Sequence, residues 1–100
     1  MGDMMKQAQQ LQAKMAGIQE QLASKKVEAT VGGGMVTVTA DGQQNVLQIK
    51  IKPEVVKPED TEMLEDLILS GVNEALRRSR ELAAQEMGKL TGALGLPGLF

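Results

Sequence analysis

From Val27 to Lys52 the apolar side chains fall on alternate residues, in three short runs broken by turn signals. Val27, Ala29 and Val31 share one parity, then Val36, Val38 and Ala40, then Leu47, Ile49 and Ile51. The other parity carries Thr37, Thr39, Gln48, Lys50 and Lys52. Successive strand side chains point to opposite faces, so the pattern predicts a three-stranded antiparallel meander with one apolar and one wet face. Gly32-Gly33-Gly34 supplies a loose first turn, and the Asp41-Gly42 pair within Ala40-Asp41-Gly42-Gln43 suits a tight primed hairpin as the second. Such a sheet does not stand alone in water, so the flanking segments must cover it.

Those segments carry helical spacing. Met4, Ala8, Leu11, Met15, Ile18 and Leu22 repeat at intervals of four and three, which predicts a helix from about Asp3 to Lys26. Its glutamines are good helix formers that stay solvated, and Lys25-Lys26 suits the negative end of the helix dipole. After the meander, Pro53 and Pro58 punctuate a connector, and Glu59, Asp60, Glu62, Glu65 and Asp66 crowd the start of a second helix expected from about Asp60 to Met87. Leu64, Ile68, Gly71, Ala75 and Leu82 form its main stripe, widened by Leu67, Leu69, Val72, Leu76 and Ala83. The apolar face thins after Leu76, so the first half should lie on the sheet and the second half should project or pair with the first helix. The expected architecture is α+β, in the order α-β-β-β-α, with one domain over residues 1–87. The glycines at 88, 92, 95 and 98 and Pro97 predict a flexible tail over residues 88–100.

Composition narrows the function. The chain has 100 residues and a single aromatic, Phe100, so its core must come from Leu, Ile, Val, Ala and Met. Seven methionines and a meagre core on long helices predict a homodimer, because a partner buries what one chain leaves exposed. Without Cys or His there are no disulfides, no thiolate nucleophile and no imidazole base. Met1-Gly2-Asp3 opens directly into a polar helix and no apolar run approaches about 18 residues, so a cytoplasmic protein is expected, without membrane association. The carboxylates Asp60, Glu62, Glu65 and Asp66 are read as dipole complements rather than a metal site. Gly32-Gly33-Gly34 lacks the lysine and helix start of a phosphate loop. No catalytic residue, metal, cofactor or small-molecule substrate is expected.

The basic residues form the more informative set. Lys6, Lys14, Lys25 and Lys26 lie on the first helix, and Arg77, Arg78, Arg80 and Lys89 on the distal part of the second. Acidic residues concentrate between Glu54 and Asp66, so the chain is polarised although its formal net charge is −2. Antiparallel packing of the helices would make a pair of basic arms, able to hold phosphates without reading bases. The alternative is ordinary solvated charge, since Glu74, Glu81 and Glu86 stand at helical pairing distance among the cations. With no aromatic platform to stack bases, single-strand recognition is not expected.

Met4-Met5-Lys6-Gln7-Ala8-Gln9-Gln10, the Gly34-x-Val36-x-Val38 strand with its Asp41-Gly42 turn, Glu62-Met63-Leu64-Glu65-Asp66-Leu67 and Asn73-x-Ala75-x-Arg77-Arg78 together resemble the YbaB/EbfC family of bacterial nucleoid-associated proteins. The likeness covers nearly the whole chain in order. It implies a cytoplasmic homodimer whose sheets help join the subunits and whose helices project like tweezers. It also implies binding of duplex DNA with little base specificity and a role in nucleoid organisation or gene regulation. In that picture the helical arms engage DNA, which directs attention to Lys6, Lys14, Lys25, Lys26, Arg77, Arg78 and Arg80. A different reading of the same helices is a dimeric protein-interaction module, without DNA binding, that grips a partner through Met4, Leu11, Met15 and Ile18.

Overall fold

The computed structural model describes residues 2–93. Helix α1 (Gly2–Ser24) leads into strands β1 (Lys26–Val31), β2 (Val36–Asp41) and β3 (Val46–Ile51). Two short 3-10 turns, Pro53–Val55 and Pro58–Asp60, then precede helix α2 (Thr61–Ala93). The strands form one antiparallel sheet in the order β1-β2-β3. The molecule is elongated, with principal extents of 68 × 23 × 16 Å.

The expected parity is the observed one in β1 and β2, whereas in β3 Val46 rather than Leu47 stands opposite Ala40. Ala29, Val36, Val38 and Ala40 are buried against Ala75 of α2, with Val27, Val31, Leu67 and Val72 packed around them. Gly71 lets α2 sit this close, because a Cβ built there lies 2.8 Å from Val38 Cγ2. The two turns differ in kind. Gly32, Gly33 and Gly34 all adopt positive φ (64°, 68° and 93°), a conformation that glycine alone adopts freely. The Asp41-Gly42 pair does not form the tight primed turn. Strand β3 begins only at Val46, and Gln44, not Gly42, takes the left-handed conformation, with φ 64°.

The reason is a competing use of both residues. The buried Asp41 carboxylate accepts the Gln43 and Asn45 backbone N–H groups at 2.8 and 3.0 Å and the Asn45 side-chain amide at 3.1 Å, which shapes a wider loop. Gly42 is needed for contact, since a Cβ there would lie 2.7 Å from the Leu22 carbonyl oxygen. The register shifts between Thr39↔Gln48 and Ala40↔Val46, leaving Leu47 as the extra residue of a bulge.

Both helix ends differ from expectation. The first helix stops at Ser24 rather than Lys26: the Lys25 N–H still bonds back to Gln21 and Leu22, but Lys26 already pairs with Asp41 in the sheet. The second does not stop at Met87. Residues 88–93, expected as the start of a flexible tail, continue α2, and two glycines at about 1 kcal/mol each do not break it. Burial of Leu90 beside Gly17 and Ile18 of α1 compensates, and the Thr91 hydroxyl donates to the Met87 carbonyl at 3.1 Å. The expected tail beyond, residues 94–100, lies outside the described residues. At its other end α2 is capped by Asp60, whose carboxylate accepts the Met63 N–H at 3.2 Å.

Candidate nucleic-acid interface

The distal half of α2 runs alongside α1 in the antiparallel sense. Their junction with the sheet is fixed by the β2–β3 loop: the Gly42 N–H donates to the Leu22 carbonyl at 2.8 Å and the Gln43 amide to the Gln19 carbonyl at 2.6 Å. On the other helix, the Gln44 N–H donates to the fully buried Ser79 hydroxyl at 2.9 Å. Further out, Lys25 Nζ meets Glu86 Oε1 at 2.8 Å, and this contact holds the Glu86 carboxyl below the ordinary range. The result is a two-helix arm leaving one end of the sheet. Along α1, Met4, Met5 and Met15 are exposed.

The seven cations expected to serve DNA divide into two groups. Lys6, Lys14, Lys26 and Arg80 are exposed and make no ion pair among the described residues. Lys14 faces Glu86 and Lys89 across a groove between the helices that Ile18 and Leu90 also line. The other three are engaged. Lys25 is tied to Glu86, and Arg77 lies between Glu74 and Glu81. Arg78 bonds the Glu74 carboxylate at 3.2 Å and also donates to the Glu28 carbonyl of β1. Hydrogen bonds from Arg77, then Arg78, lower the Glu74 carboxyl to about 2, so it stays ionised throughout the neutral range, and Arg77 is raised in turn. Exposed pairs of this kind are weak and salt-sensitive, so these arginines are held in place without being withdrawn from solvent. Arg77, Arg78 and Arg80 border a cleft of about 650 Å³ with Thr30, Ser70 and Asn73, along the β1 edge of the sheet.

A feature that sequence reading missed lies at the opposite edge. Val46 and Ile49 of β3 are about 40% exposed although they stand opposite the buried Ala40 and Val38 on the apolar side of the sheet, and the bulged Leu47 between them is 50% exposed. Ser70, Asn73 and Arg77 of α2 face β1, so at about 100° per residue Leu69, Val72 and Leu76 look toward β3. Leu69 is 61% exposed. One helix covers β1 and β2 and leaves β3 with an apolar overhang. The signal was present in the sequence as a helix stripe wider than one sheet requires.

Fold and site together define a small α+β binding protein: a sheet with an uncovered apolar edge and a basic two-helix arm. The chain belongs to the YbaB/EbfC DNA-binding family, whose model matches residues 1–94. It is 58% identical over 95 residues to a nucleoid-associated protein of Syntrophobacter fumaroxidans, an alignment spanning 95% of this chain and 86% of that one. It is 56% identical over 100 residues to a nucleoid-associated protein of Desulforamulus reducens, covering all of this chain and 95% of that one. The fold also matches an uncharacterized protein of Helicobacter pylori in a crystal structure, with a TM-score of 0.80 at 17% identity, over 90% of this chain and 95% of that one. Among the described residues no helix is long and apolar enough to cross a membrane.

Proposed function

We infer that this protein is a nucleoid-associated, non-enzymatic homodimer of the cytoplasm that binds duplex DNA through the phosphate backbone. The observation that carries the reading is the family match over residues 1–94, together with four cations, Lys6, Lys14, Lys26 and Arg80, that make no ion pair among the described residues and lie on or beside the helical arm. Arg77 and Arg78 join them by exchanging Glu74 and Glu81 for phosphates, and Lys25 by releasing Glu86. Since contacts of this kind carry no base information, specificity is low. The apolar overhang of β3, with Val46, Leu47 and Ile49 exposed beside Leu69 of α2, supports a second copy as its cover, since one chain leaves these side chains in water.

A salt titration against a fluorescent duplex of arbitrary sequence tests the reading. The logarithm of affinity should fall linearly with the logarithm of salt concentration, at a slope of about −0.9 per phosphate contacted. Lack of binding at low salt refutes it. Ile49→Asp should halve the mass measured by light scattering, and an unchanged dimer would place the interface elsewhere. The exposure of Met4, Met5 and Met15 favours a second reading, a grip on another protein through the arm's apolar seam. That reading takes over if DNA binding fails.

A further inference from the structure

The wet face of the sheet, opposite α2, enters the reading above only through Lys26 at its corner. Lys26, Glu28 and Thr30 of β1, Thr37 and Thr39 of β2, and Gln48 and Lys50 of β3 all point to it, being out of phase with the buried Ala29, Val36, Val38 and Ala40. Lys50 stands opposite Thr37, and Lys52 follows at the end of β3. Lys26, Lys50 and Lys52 are exposed and make no ion pair among the described residues. They face one exposed carboxylate, Glu28, because Asp41 is buried in its loop. In a chain whose net charge is −2, this local excess of positive charge is not a consequence of composition.

The face also connects to the arginine cleft. Thr30 borders that cleft, and its hydroxyl lies 3.3 Å from the hydroxyl of Thr37 on the neighbouring strand. Thr37 in turn borders a second cleft, of about 420 Å³, that Lys50 and Lys52 line with Gly34 and Met35. A track of cations and hydroxyl donors thus runs across the sheet from Arg78 and Arg80 through Thr30 and Thr37 to Lys50 and Lys52. Two strand spacings, about 10 Å, separate Thr30 from Lys50.

We propose that this track is a second contact surface for the phosphate backbone of duplex DNA, so that the sheet as well as the arm lies against the bound duplex. The charge is complementary and the hydroxyls donate to phosphate oxygens. The face lacks the apolar or aromatic side chains that insertion into a lipid surface needs. The proposal rests on the DNA-binding reading and extends it to residues outside the arm.

The test is the full-length Lys50→Gln/Lys52→Gln variant, with dimer mass and thermal unfolding checked, titrated with salt beside the wild type on the same fluorescent duplex. The salt slope should become shallower by between about one and two, with roughly tenfold weaker binding at 0.1 M salt. Glu28→Gln, which leaves the backbone carbonyl that Arg78 uses, should tighten binding severalfold, a sign that damage to the fold does not produce. If the wild type binds and both variants match it in slope and affinity, the sheet makes no contact and this proposal alone fails. If the wild type binds no duplex at low salt, the DNA reading fails and takes the proposal with it.

Discussion

Gly71→Ala isolates the contact on which the core depends. Gly71 lies in α2 where the helix crosses the sheet, and an added methyl lies 2.8 Å from Val38 Cγ2, 3.5 Å from Val31 Cγ2 and 3.7 Å from Val36 Cγ1. Carbon atoms prefer separations of about 3.5–4.0 Å, so the first contact is too close by roughly 0.7 Å or more. Val38 is fully buried and its branched Cβ restricts χ1, so the strain passes to the helix–sheet separation. Overpacking of this kind costs about 1–3 kcal/mol, and replacing glycine by alanine inside a helix returns up to about 1 kcal/mol. The expected net is about 1 kcal/mol of destabilisation.

Gly17→Ala is the matched control. It makes the same change within α1, where nothing lies within 4 Å of the new methyl, and should stabilise by about 0.5–1 kcal/mol. The two variants should therefore differ by about 1–3 kcal/mol in urea denaturation followed by far-UV circular dichroism, at one fixed protein concentration because dimerisation couples to stability. Gly71→Ala as stable as Gly17→Ala would refute the close-approach argument. Val38→Ala makes room for the methyl, so the double variant Val38→Ala/Gly71→Ala should be more stable than the two single effects added.

Three further outcomes follow from the junction and the arm. Gly42→Ala drives a methyl to 2.7 Å from the Leu22 carbonyl oxygen and should cost about 2 kcal/mol or more in the same denaturation assay. Leu22→Ala, at a side chain 1% exposed, should cost about 2–5 kcal/mol and loosen α1, seen as faster amide exchange in residues 18–24. Because the folded-state carboxyl of Glu74 is depressed from 4.5 to about 2, its contribution is present above pH 4.5 and is lost as pH falls through that window. Glu74→Gln should flatten the loss of stability between pH 4.5 and 2 and, by removing the carboxylate that Arg77 and Arg78 share while leaving Glu81 on Arg77, tighten DNA binding at neutral pH.

Periodicity was enough to place the sheet, its apolar face and both helices, because alternation in Val27–Lys52 and the heptad in α1 each report on one element at a time. It failed where two elements compete for one residue. Asp41-Gly42 reads as a hairpin dipeptide, yet Asp41 serves the loop amides and Gly42 serves α1, so the turn opens and Gln44 takes the left-handed position. Gly88 and Gly92 read as helix breakers, yet Leu90 is buried against α1, and a tertiary contact is invisible to local propensity. The basic residues were legible as a set but not in their states. Sequence spacing shows that Arg77 stands near Glu74 and Glu81, whereas the long-range contact of Lys25 with Glu86 depends on how the helices pair.

The β2–β3 loop determines more than the edge of the sheet. Its three bonds to Leu22, Gln19 and Ser79 reach both helices of the arm within three consecutive residues, Gly42 to Gln44. Among the described residues no backbone hydrogen bond joins the two helices directly, so the loop, with the Lys25–Glu86 pair, sets the angle at which they leave the sheet. Ser79→Ala removes one of these bonds from a fully buried site at a cost of about 1 kcal/mol, and should widen the arm before it unfolds the sheet. Phosphates along a duplex are fixed in position, so an arm at the wrong angle loses contacts together. Ser79→Ala should therefore lower DNA affinity and salt slope although Ser79 carries no charge. Distances between spin labels at Lys6 and Lys52, unchanged from wild type, would refute the hinge role of this loop.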